Sequence, residues 1–202
     1  MERKNTSDQP LQSEIIVFAG PNGSGKSTIK KNAKTVGIYI NADDIKRTTH
    51  CSDREAANQA DNLREEALNN NEDFTFETVL STKLKLDFLR RAKTKGYFIR
   101  GFFILTLDPA VNVLRVRVRV AEGGHDVPED KIRSRYKKSL GLLPEFIKVC
   151  DVLHVYDNTT KEPVRIFKKR KTECFVYENE LWDIKAIESL TGIKEYSIKQ
   201  SS

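Results

Sequence analysis

Cysteine is scarce in this 202-residue chain, which contains only Cys51, Cys150 and Cys174. An odd number of widely spaced cysteines argues against a disulfide framework and against a zinc site, and it favours a reducing compartment. No apolar run approaches about 18 residues, so the sequence predicts no membrane-spanning helix. Residues 1–13 are polar and lack the apolar core of a secretion signal. These absences together predict a soluble, cytoplasmic protein.

The chain also lacks internal repeats and any linker that would divide it, so we expect one domain. Residues 1–12 are predicted to form a disordered tail, and residues 13–202 the domain itself. Within the domain, the motifs that carry chemistry lie in residues 14–158, and C-terminal strands and a helix are expected in residues 159–192.

Charge is abundant, with 32% charged residues and a net charge of +6. This balance is compatible with anionic small molecules or with nucleic acid as partners. The basic residues are spread along the chain, except for the dense cluster Lys168, Lys169, Arg170 and Lys171. Because charges commonly protect the edges of sheets, we interpret the cluster as a solvated edge. Nucleic acid is therefore disfavoured as a partner.

One glycine-rich stretch follows the apolar run Ile15–Ala19 and precedes a lysine-rich segment, Ile29 to Lys34. A strand before and a helix after are the context required of a phosphate-binding P-loop, G-x-x-x-x-G-K-S. Glycines at positive φ turn N–H groups towards a phosphate, and the helix N-terminus adds its dipole. Lys26 is expected to reach the β and γ phosphates and Ser27 to ligate Mg²⁺, so the sequence predicts binding of ATP. The stretch comprises Gly20, Pro21, Asn22, Gly23, Ser24, Gly25, Lys26, Ser27 and Thr28.

Strands and helices alternate along the rest of the chain, which predicts an α/β fold with a mostly parallel central sheet in three layers. Further strands are predicted at 36–40, 74–78, 97–106, 152–156, 164–167 and 174–177. Helices are predicted at 52–70, from Ser81 or Thr82 to 95, and at 179–190. Another helix is expected to start at Asp108-Pro109. A further helix is expected to start at a capping box of Asp126 and Glu129 and to be interrupted at Pro144.

The stretch Arg115 to Val120 alternates basic and apolar residues with a period of two, which is typical of a strand. We nevertheless predict a helix, because the stretch follows a strand and an Asp-Pro start. On a helix Arg115 and Arg119 share one face, while Arg117 falls on the apolar side without an obvious reason.

Ligands of parallel α/β sheets bind at the carboxyl ends of the strands. That rule collects the polar residues Lys26, Ser27, Asp43, Asp44, Glu77, Thr78, Asp157 and Asn158 at one edge. A P-loop hydrolase normally has a strand that ends in a metal-binding acid, and no clean example is present. A kinase needs a base, an acceptor pocket and cations over the transferring phosphoryl group. We therefore predict a kinase that uses ATP and a small-molecule hydroxyl acceptor, with a partner-dependent ATPase switch or a nucleic-acid end kinase as alternatives.

The sequence offers a candidate for each part of such a kinase. Asp43 could accept the hydroxyl proton, and Glu77 could hold hydroxyl groups of the acceptor. A helix–loop–helix could fold over the nucleotide as a helical lid and place arginines on the phosphates. Its arginines are Arg115, Arg119, Arg133 and Arg135.

Each candidate also has an ordinary structural alternative. Asp43 or Asp44 could cap a short helix, and Glu77 could pair with a cation in the core. Any of the arginines could be a solvated helix residue. His125, in a Gly-Gly-His turn, is expected to shape the lid or contact phosphate rather than ligate a metal.

An ordered set of motifs resembles the zeta toxin family of P-loop kinases, in its short bacterial branch. The P-loop is followed by Asn41-Ala42-Asp43-Asp44-Ile45, by Phe76-Glu77-Thr78-Val79-Leu80-Ser81, by Gly123-Gly124-His125-Asp126-Val127-Pro128 with Arg135-Tyr136-Lys137-Lys138-Ser139-Leu140, and by Tyr156-Asp157-Asn158.

The resemblance implies a fold similar to shikimate and chloramphenicol kinases, with ATP and Mg²⁺ as cofactors. It implies transfer of the γ-phosphate to a hydroxyl, which in well-known members is the 3′-hydroxyl of UDP-N-acetylglucosamine, and a small helical antitoxin as a possible partner. It assigns Lys26 to the phosphates, Ser27 to the metal, Asp43 as the base and Arg115 or Arg119 to the transferring group. We assign substrate binding to Asp44, Glu77, Thr78, His125 and Arg135.

The chain departs from the family pattern around the acceptor. The first acid of the family's Asp-x-Asp motif is Asn41 here, and Asp44 is an additional acid beside Asp43. His125 stands where larger toxins place a second lid arginine, and Thr78-Val79-Leu80-Ser81 replaces a glycine-rich segment with an arginine. These differences concern the acceptor more than the chemistry, so another hydroxyl substrate stays open.

Overall fold

The computed structural model describes residues 12–200 of the chain. The predicted disordered tail, residues 1–12, lies outside the described residues except for Gln12, whose side-chain amide donates to Gly96 O at 2.7 Å. The strands are β1 (Glu14–Ala19), β2 (Ile38–Ile40), β3 (Phe74–Thr78), β4 (Phe98–Leu105), β5 (Val152–Asp157), β6 (Val164–Arg170), β7 (Glu173–Glu178) and β8 (Ser197–Gln200). The helices are α1 (Lys26–Asn32), α2 (Ala42–Thr49), α3 (Asp53–Asn69), α4 (Leu84–Thr94), α5 (Pro109–Ala121), α6 (Glu129–Val149) and α7 (Ile184–Thr191).

The strands form one sheet in the order β2-β3-β1-β4-β5-β6-β7-β8. The first five strands along the chain run parallel, β6 is antiparallel to both of its neighbours, and β7 and β8 are parallel. The predicted α/β class, the mostly parallel sheet and the helical lid are therefore confirmed. The lid consists of α5, α6 and the loop between them.

The core explains why β1 is apolar from Ile15 to Ala19. All six of its residues are buried. Ile15 and Val17 belong to the main core, in which residues of α3, α4, α6 and α7 also pack. Ile16 and Phe18 point to the other side, where Ile29 of α1 packs against them. A strand buried on both faces needs an uninterrupted apolar run, and this central position explains the one seen in the sequence.

Helix α5 confirms the helical interpretation of the alternating stretch. Asp108 caps it by accepting a hydrogen bond from Ala110 N, and Pro109 occupies its first turn. Val113 and Val116 are buried, and they pack with Val127 and Ile132. The expectation that Arg117 lies on the apolar side is wrong. Its side chain is 72% exposed and forms an ion pair with Glu129.

Helix α6 differs from its prediction at both ends. The expected capping box of Asp126 and Glu129 is absent, because Pro128 occupies the N-cap without a side-chain bond. The Glu129 carboxylate instead accepts hydrogen bonds from Arg117 and Arg133. Pro144 does not interrupt the helix, which continues to Val149. A proline removes one backbone donor from a helix, and burial of the neighbouring apolar turn offsets that loss.

The C-terminal elements also differ in extent and place. The cluster Lys168–Lys171 does not lie at an edge, because β6 is paired on both sides. Lys169 in it donates to Ile147 O and Cys150 O, the carbonyls that end α6. The final helix begins at Ile184 rather than 179, since Asn179 Oδ1 accepts from the amides of Leu181 and Trp182 and closes a turn. Strand β8 was not predicted.

Smaller differences concern the second strand and the fourth helix. Val36 lies outside β2 because its N–H and C=O both bond the hydroxyl of Thr75 rather than a strand partner. Helix α4 starts after Lys83 without a side-chain cap, so neither Ser81 nor Thr82 caps it. Among residues 12–200, no helix combines the length and apolarity that crossing a bilayer requires.

Candidate functional site

The glycine-rich loop joins β1 to α1 at the carboxyl end of the sheet. Gly25 is the N-cap of α1 and is left-handed, with φ of 88°. A Cβ there would meet the side-chain nitrogen of Asn158 at 2.0 Å, and one at Gly20 would meet Ile104 O at 2.0 Å. Glycine is therefore required at both positions, for conformation and for space. The loop lies directly on the strands beside it.

Lys26, the first residue of α1, bends back over the loop. Its Nζ donates to Gly20 O at 2.9 Å and to Pro21 O at 3.0 Å. Burial lowers the pKa of this ammonium, while the carboxylates of Glu77 and Asp43 oppose the shift and Arg119 adds to it. The four charged groups are thus close enough to influence one another. In such a group the lysine and the arginine can bind a polyanion. The two carboxylates can accept a proton from a second molecule beside that polyanion.

Three polar side chains fasten the loop to the lid and the sheet. The Asn158 amide, buried at the end of β5, donates to Ser24 O at 2.8 Å. The Asn112 amide on α5 donates to Asn22 O at 2.6 Å. Arg135 on α6 donates to the Asn22 side-chain oxygen at 3.3 Å. The sequence did not indicate Asn112, because nothing in the pattern of α5 shows that its buried polar residue faces another loop.

The opposite wall begins with α2, which places Asp43 in its first turn. Asn41 is the N-cap, and its side-chain oxygen accepts from Asp43 N at 3.0 Å. The helix is therefore capped by Asn41, not by Asp43 or Asp44. Asp44 forms an ion pair with Arg47 at 2.8 Å. Asp43 and Asp44 both line the cleft.

Glu77 lies at the end of β3, and its partner is a phenol rather than a core cation. The Tyr39 hydroxyl donates to Glu77 Oε1 at 2.5 Å, and the Asn41 amide donates to the same hydroxyl at 3.4 Å. Burial and the Glu77 carboxylate raise the pKa of Tyr39, so the phenol stays protonated and remains a donor. Lys30 lies over the Tyr39 ring, 4.0 Å from its centroid. Tyr39 was not identified from the sequence because its spacing carries no motif.

The lid presents three of its arginines to the cleft, Arg115, Arg119 and Arg135. Arg115 donates to Thr159 O at 3.3 Å and Arg119 to His125 O at 2.6 Å. Arg115 Nη1 and Arg119 Nε are buried with no hydrogen-bond partner. Unpaired guanidinium donors beside a P-loop lysine fit the oxygens of a phosphate chain. Arg133 is paired with Glu129 instead, away from the cleft.

His125, in the loop of the lid, connects the lid to the opposite wall. Its Nδ1 lies 3.3 Å from Lys46 Nζ, and its Nε2 lies 3.8 Å from Asp53. Lys46 also forms an ion pair with Asp53 at 2.6 Å. The expectation that His125 shapes the lid or contacts phosphate stays a prediction, and these contacts place its ring between the lid and the opposite wall. Lys46 and Asp53 are cleft residues that sequence reasoning missed, because their role depends on the distant lid.

These walls enclose a cleft of about 890 Å³. Most residues assigned from the sequence line it together: Asn22, Gly23, Gly25, Lys26, Ser27, Asp43, Asp44, Glu77, Thr78, Arg115, Arg119, His125 and Arg135. Gly20, Pro21, Ser24 and Thr28 lie in the loop and at the start of α1 without lining the cleft. Additional lining residues include Lys30, Lys46, Arg47, Asp53, Ala56 and Ser81.

The residues present fit ATP with Mg²⁺, although no described cluster of three or more His, Cys, Asp or Glu residues could hold a metal alone. Magnesium in nucleotide sites is commonly held by substrate phosphates with few protein ligands. Ser27, an exposed residue in the first turn of α1, lines the cleft and can supply a hydroxyl oxygen. Arg115 and Arg119, with buried donors that have no hydrogen-bond partner, could offer positive charge to such phosphates.

Asp157 was grouped with the polar strand ends, but the structure directs it away from the cleft. Its carboxylate is buried, and it accepts from Thr159 N at 2.7 Å and from Trp182 Nε1 at 2.9 Å. The C-terminal region thus anchors the end of β5, next to Asn158 and the P-loop.

Replacing Trp182 with phenylalanine is expected to destabilise the fold by about 1–3 kcal/mol, because a buried carboxylate loses a hydrogen-bond donor. Urea denaturation measures this change. Leu181→Ala is the matched control, since Leu181 is 41% exposed and lies beside Trp182 in the turn that Asn179 closes. An equal free energy of unfolding in Trp182→Phe and Leu181→Ala would contradict an anchoring role for the indole.

Comparisons with known proteins agree with this architecture. The sequence pattern of the zeta toxin family matches residues 1–181. A Haemophilus influenzae protein described as uncharacterized is 30% identical over an alignment of 132 residues, and the match covers 62% of this chain and 94% of that protein.

Two solved structures share the fold. One is from the PezAT chromosomal toxin–antitoxin system of Streptococcus pneumoniae, with a TM-score of 0.52, 15% identity, and coverage of 80% of this chain and 75% of that one. The other is the AvrRxo1-ORF1:-ORF2 complex with ATP, with a TM-score of 0.68, 17% identity, and coverage of 89% of this chain and 64% of that longer one. Because the family pattern spans most of the sequence, this chain belongs to the zeta toxin family.

Proposed function

We propose that this protein is an ATP-dependent kinase that transfers the γ-phosphate to a hydroxyl of a small molecule. One observation carries the proposal: a single cleft holds the P-loop Lys26 and the lid arginines on one side and the carboxylates of Asp43 and Glu77 on the other. Membership of the zeta toxin family supports an ATP-dependent phosphotransferase. The related AvrRxo1 fold was solved with ATP, which supports the same nucleotide here.

Each residue has a role in the proposed reaction. Asp43 accepts the proton of the acceptor hydroxyl, whose oxygen forms a bond to the γ-phosphorus. The bond from that phosphorus to the bridging oxygen breaks, and ADP leaves. Lys26, Arg115 and Arg119 stabilise the negative charge on the transferring group. Bound Mg²⁺, with Ser27 as a protein ligand, would add further neutralisation of the phosphates.

The proposed acceptor is a nucleotide sugar such as UDP-N-acetylglucosamine. The acceptor side of the cleft combines hydroxyl-binding and cationic groups, which suits a sugar linked to a diphosphate. Glu77, held by Tyr39, and Thr78 can bind hydroxyls. Lys46, Arg47 and Arg135 offer positive charge to a diphosphate. Asp44 and His125 belong to the same proposed acceptor surface.

An antitoxin protein is the proposed macromolecular partner. Its support is family membership and the PezAT structure, which comes from a toxin–antitoxin system. The proposed compartment is the cytoplasm, where the nucleotide and the acceptor are available.

The test is phosphoryl transfer from labelled ATP with Mg²⁺, with UDP-N-acetylglucosamine offered beside a panel of other hydroxyl metabolites. We expect transfer to the sugar nucleotide, abolished by Lys26→Ala. Arg133→Ala is the control, because this exposed side chain pairs with Glu129 outside the cleft. Transfer to a different metabolite would keep the kinase and replace the acceptor. Hydrolysis of ATP that no acceptor stimulates, and that persists in Asp43→Ala, would replace the kinase with an ATPase switch.

A further inference from the structure

Among residues 12–200, one side of the sheet is covered by a helix only near β1 and β4. There Ile29 and Ala33 pack against Ile16, Phe18 and Ile104. Further along, on β5 to β7, residues that face the main core are buried, as Leu153, Val155 and Val176 are. Apart from the buried Val152, residues that alternate with them remain partly exposed, so this side has no comparable helical layer among the described residues. We call this side the open sheet face. Its residues are Phe102, His154, Tyr156, Arg165, Lys168, Phe175, Tyr177 and Lys199.

Strand register places basic and aromatic residues of the face side by side. Phe102 lies opposite His154, His154 opposite Lys168, and Lys168 opposite Phe175. In the neighbouring row, Tyr156 lies opposite Arg165. Side chains directly opposite each other in a sheet are in contact range, so each row is a continuous surface.

The cations of the face are held by aromatic rings. The Arg165 guanidinium lies 5.3 Å from the centroid of Tyr156 and 5.6 Å from that of Tyr177, and it donates to the Tyr156 hydroxyl at 2.9 Å. Lys168 and Lys199 lie over Phe175, 6.0 and 5.6 Å from its centroid. Cation–π contacts fix these charges without neutralising them. The face therefore presents positive charge in defined positions.

Parallel rings continue the array towards the sheet centre. Phe102 stacks on Phe18 at a centroid distance of 5.0 Å and on His154 at 5.3 Å. Burial, together with the positive charges of Arg165, Lys168 and Arg100, lowers the pKa of His154 to about 4. The imidazole is therefore neutral at neutral pH and contributes a ring rather than a charge. The direction of the shift also reflects the positive potential of this face.

Two carboxylates in the described part of the sheet, those of Glu14 and Glu173, lie next to cations of this side. Glu14 accepts a hydrogen bond from Arg100 at 2.8 Å. Glu173 lies opposite Arg170 in the strand register. Glu173 is thus a diagonal neighbour of Lys168, whereas Arg165 lies opposite Tyr156 and Lys199 lies opposite Tyr177.

We propose that the open sheet face binds single-stranded nucleic acid. Fixed cations attract the phosphates of an extended strand, and aromatic edges and partly exposed rings offer contacts to unpaired bases. A second copy of this chain is disfavoured as the occupant, because two basic faces repel each other. The site is separate from the cleft, so the proposal does not depend on the kinase activity. The proposal also gives Lys168 a role, whereas the sequence alone had indicated a solvated edge of the sheet for its basic cluster.

The experiment measures fluorescence anisotropy of a labelled 20-nucleotide poly(U) RNA titrated with the full chain at several salt concentrations. The test variant carries Arg165→Gln, Lys168→Gln and Lys199→Gln. We expect its affinity to fall by at least about tenfold, and the slope of log affinity against log salt to decrease by about 2, as the loss of three phosphate contacts predicts. A second variant, Lys168→Gln with Lys199→Gln, leaves the Arg165 contact with two tyrosines intact, and thermal unfolding verifies that both variants fold.

The control carries Lys131→Gln, Lys137→Gln and Lys138→Gln, which remove equal charge from exposed positions of α6. We expect it to retain most of the affinity. An equal loss of RNA affinity in the control and the test variant would mean that binding depends on net charge alone, and it would overturn the proposal. Absence of binding to the RNA at about 0.1 M salt would also overturn it. At that salt concentration charges are screened only beyond about 10 Å, so direct phosphate contacts should still contribute. Competition by polyglutamate as effective as that by unlabelled RNA would point to an acidic protein partner instead.

Discussion

Asp43→Asn is expected to lower the rate of phosphoryl transfer by about 10²–10⁴-fold, because the proposed base can no longer accept a proton. Binding of ATP should remain, since the substitution keeps the size of the side chain and removes a negative charge near the phosphates. Helix α2 should persist, because Asn41 supplies its N-cap. The measurements are transfer from labelled ATP and, separately, the dissociation constant of ATP by calorimetry.

Asp87→Asn is the matched control for Asp43. Asp87 also lies in the first turn of a helix, and it pairs with Arg90 on the surface of α4. It should transfer phosphate at the rate of the unmodified protein. If Asp43→Asn lost ATP binding and transfer in parallel, Asp43 would have a structural role in the cleft rather than that of a base. If it kept full transfer, another group would accept the proton.

Arg119→Ala is expected to lower kcat by about 10²–10³-fold, as loss of one donor to a developing charge does in other enzymes. Two facts single out this side chain: its Nε is buried without a hydrogen-bond partner, and its charge acts on Lys26. A smaller effect on the KM for ATP is expected, because stabilisation is greatest when charge spreads over the transferring phosphoryl group. Steady-state kinetics with varied ATP separates the two parameters.

Arg117→Ala is the control for this second experiment. It removes the same side chain from the same helix, two residues away, where Arg117 is exposed and paired with Glu129. An exposed pair of this kind contributes about 0–1 kcal/mol to stability, so α5 should be retained. An equal fall in kcat in Arg117→Ala and Arg119→Ala would mean that disturbance of the lid, and not loss of the Arg119 guanidinium, slows the reaction.

Lid position and lid chemistry are linked through Arg119. One nitrogen of its guanidinium donates to His125 O, and the imidazole of His125 reaches Lys46 and Asp53 on the opposite wall. The arginine that we propose to contact the phosphates is therefore bonded to the loop that bridges the cleft. This arrangement can couple closure over an acceptor to the placement of positive charge at the nucleotide.

The sequence by itself determined the features that depend on neighbours in the chain. The P-loop was readable because glycines, a lysine and a hydroxyl must follow one another at fixed spacing between a strand and a helix. The helix predicted from residue 52 likewise begins with a local signal, because Ser52 and Glu55 form a capping box at the start of α3. The parallel sheet followed from alternating elements, and the convergence of polar residues at one edge followed from the parallel sheet.

Only the tertiary structure decided which side chains meet across long separations. The choice of Arg115, Arg119 and Arg135 over Arg133 depends on how α5 and α6 pack, not on their spacing. Tyr39 could be paired with Glu77 only once β2 and β3 were adjacent. Pro144 stayed inside α6 because burial of neighbouring residues outweighed a local preference. The open sheet face exists because no described helix returns over β5 to β8, and local sequence cannot encode which strands a distant helix leaves uncovered.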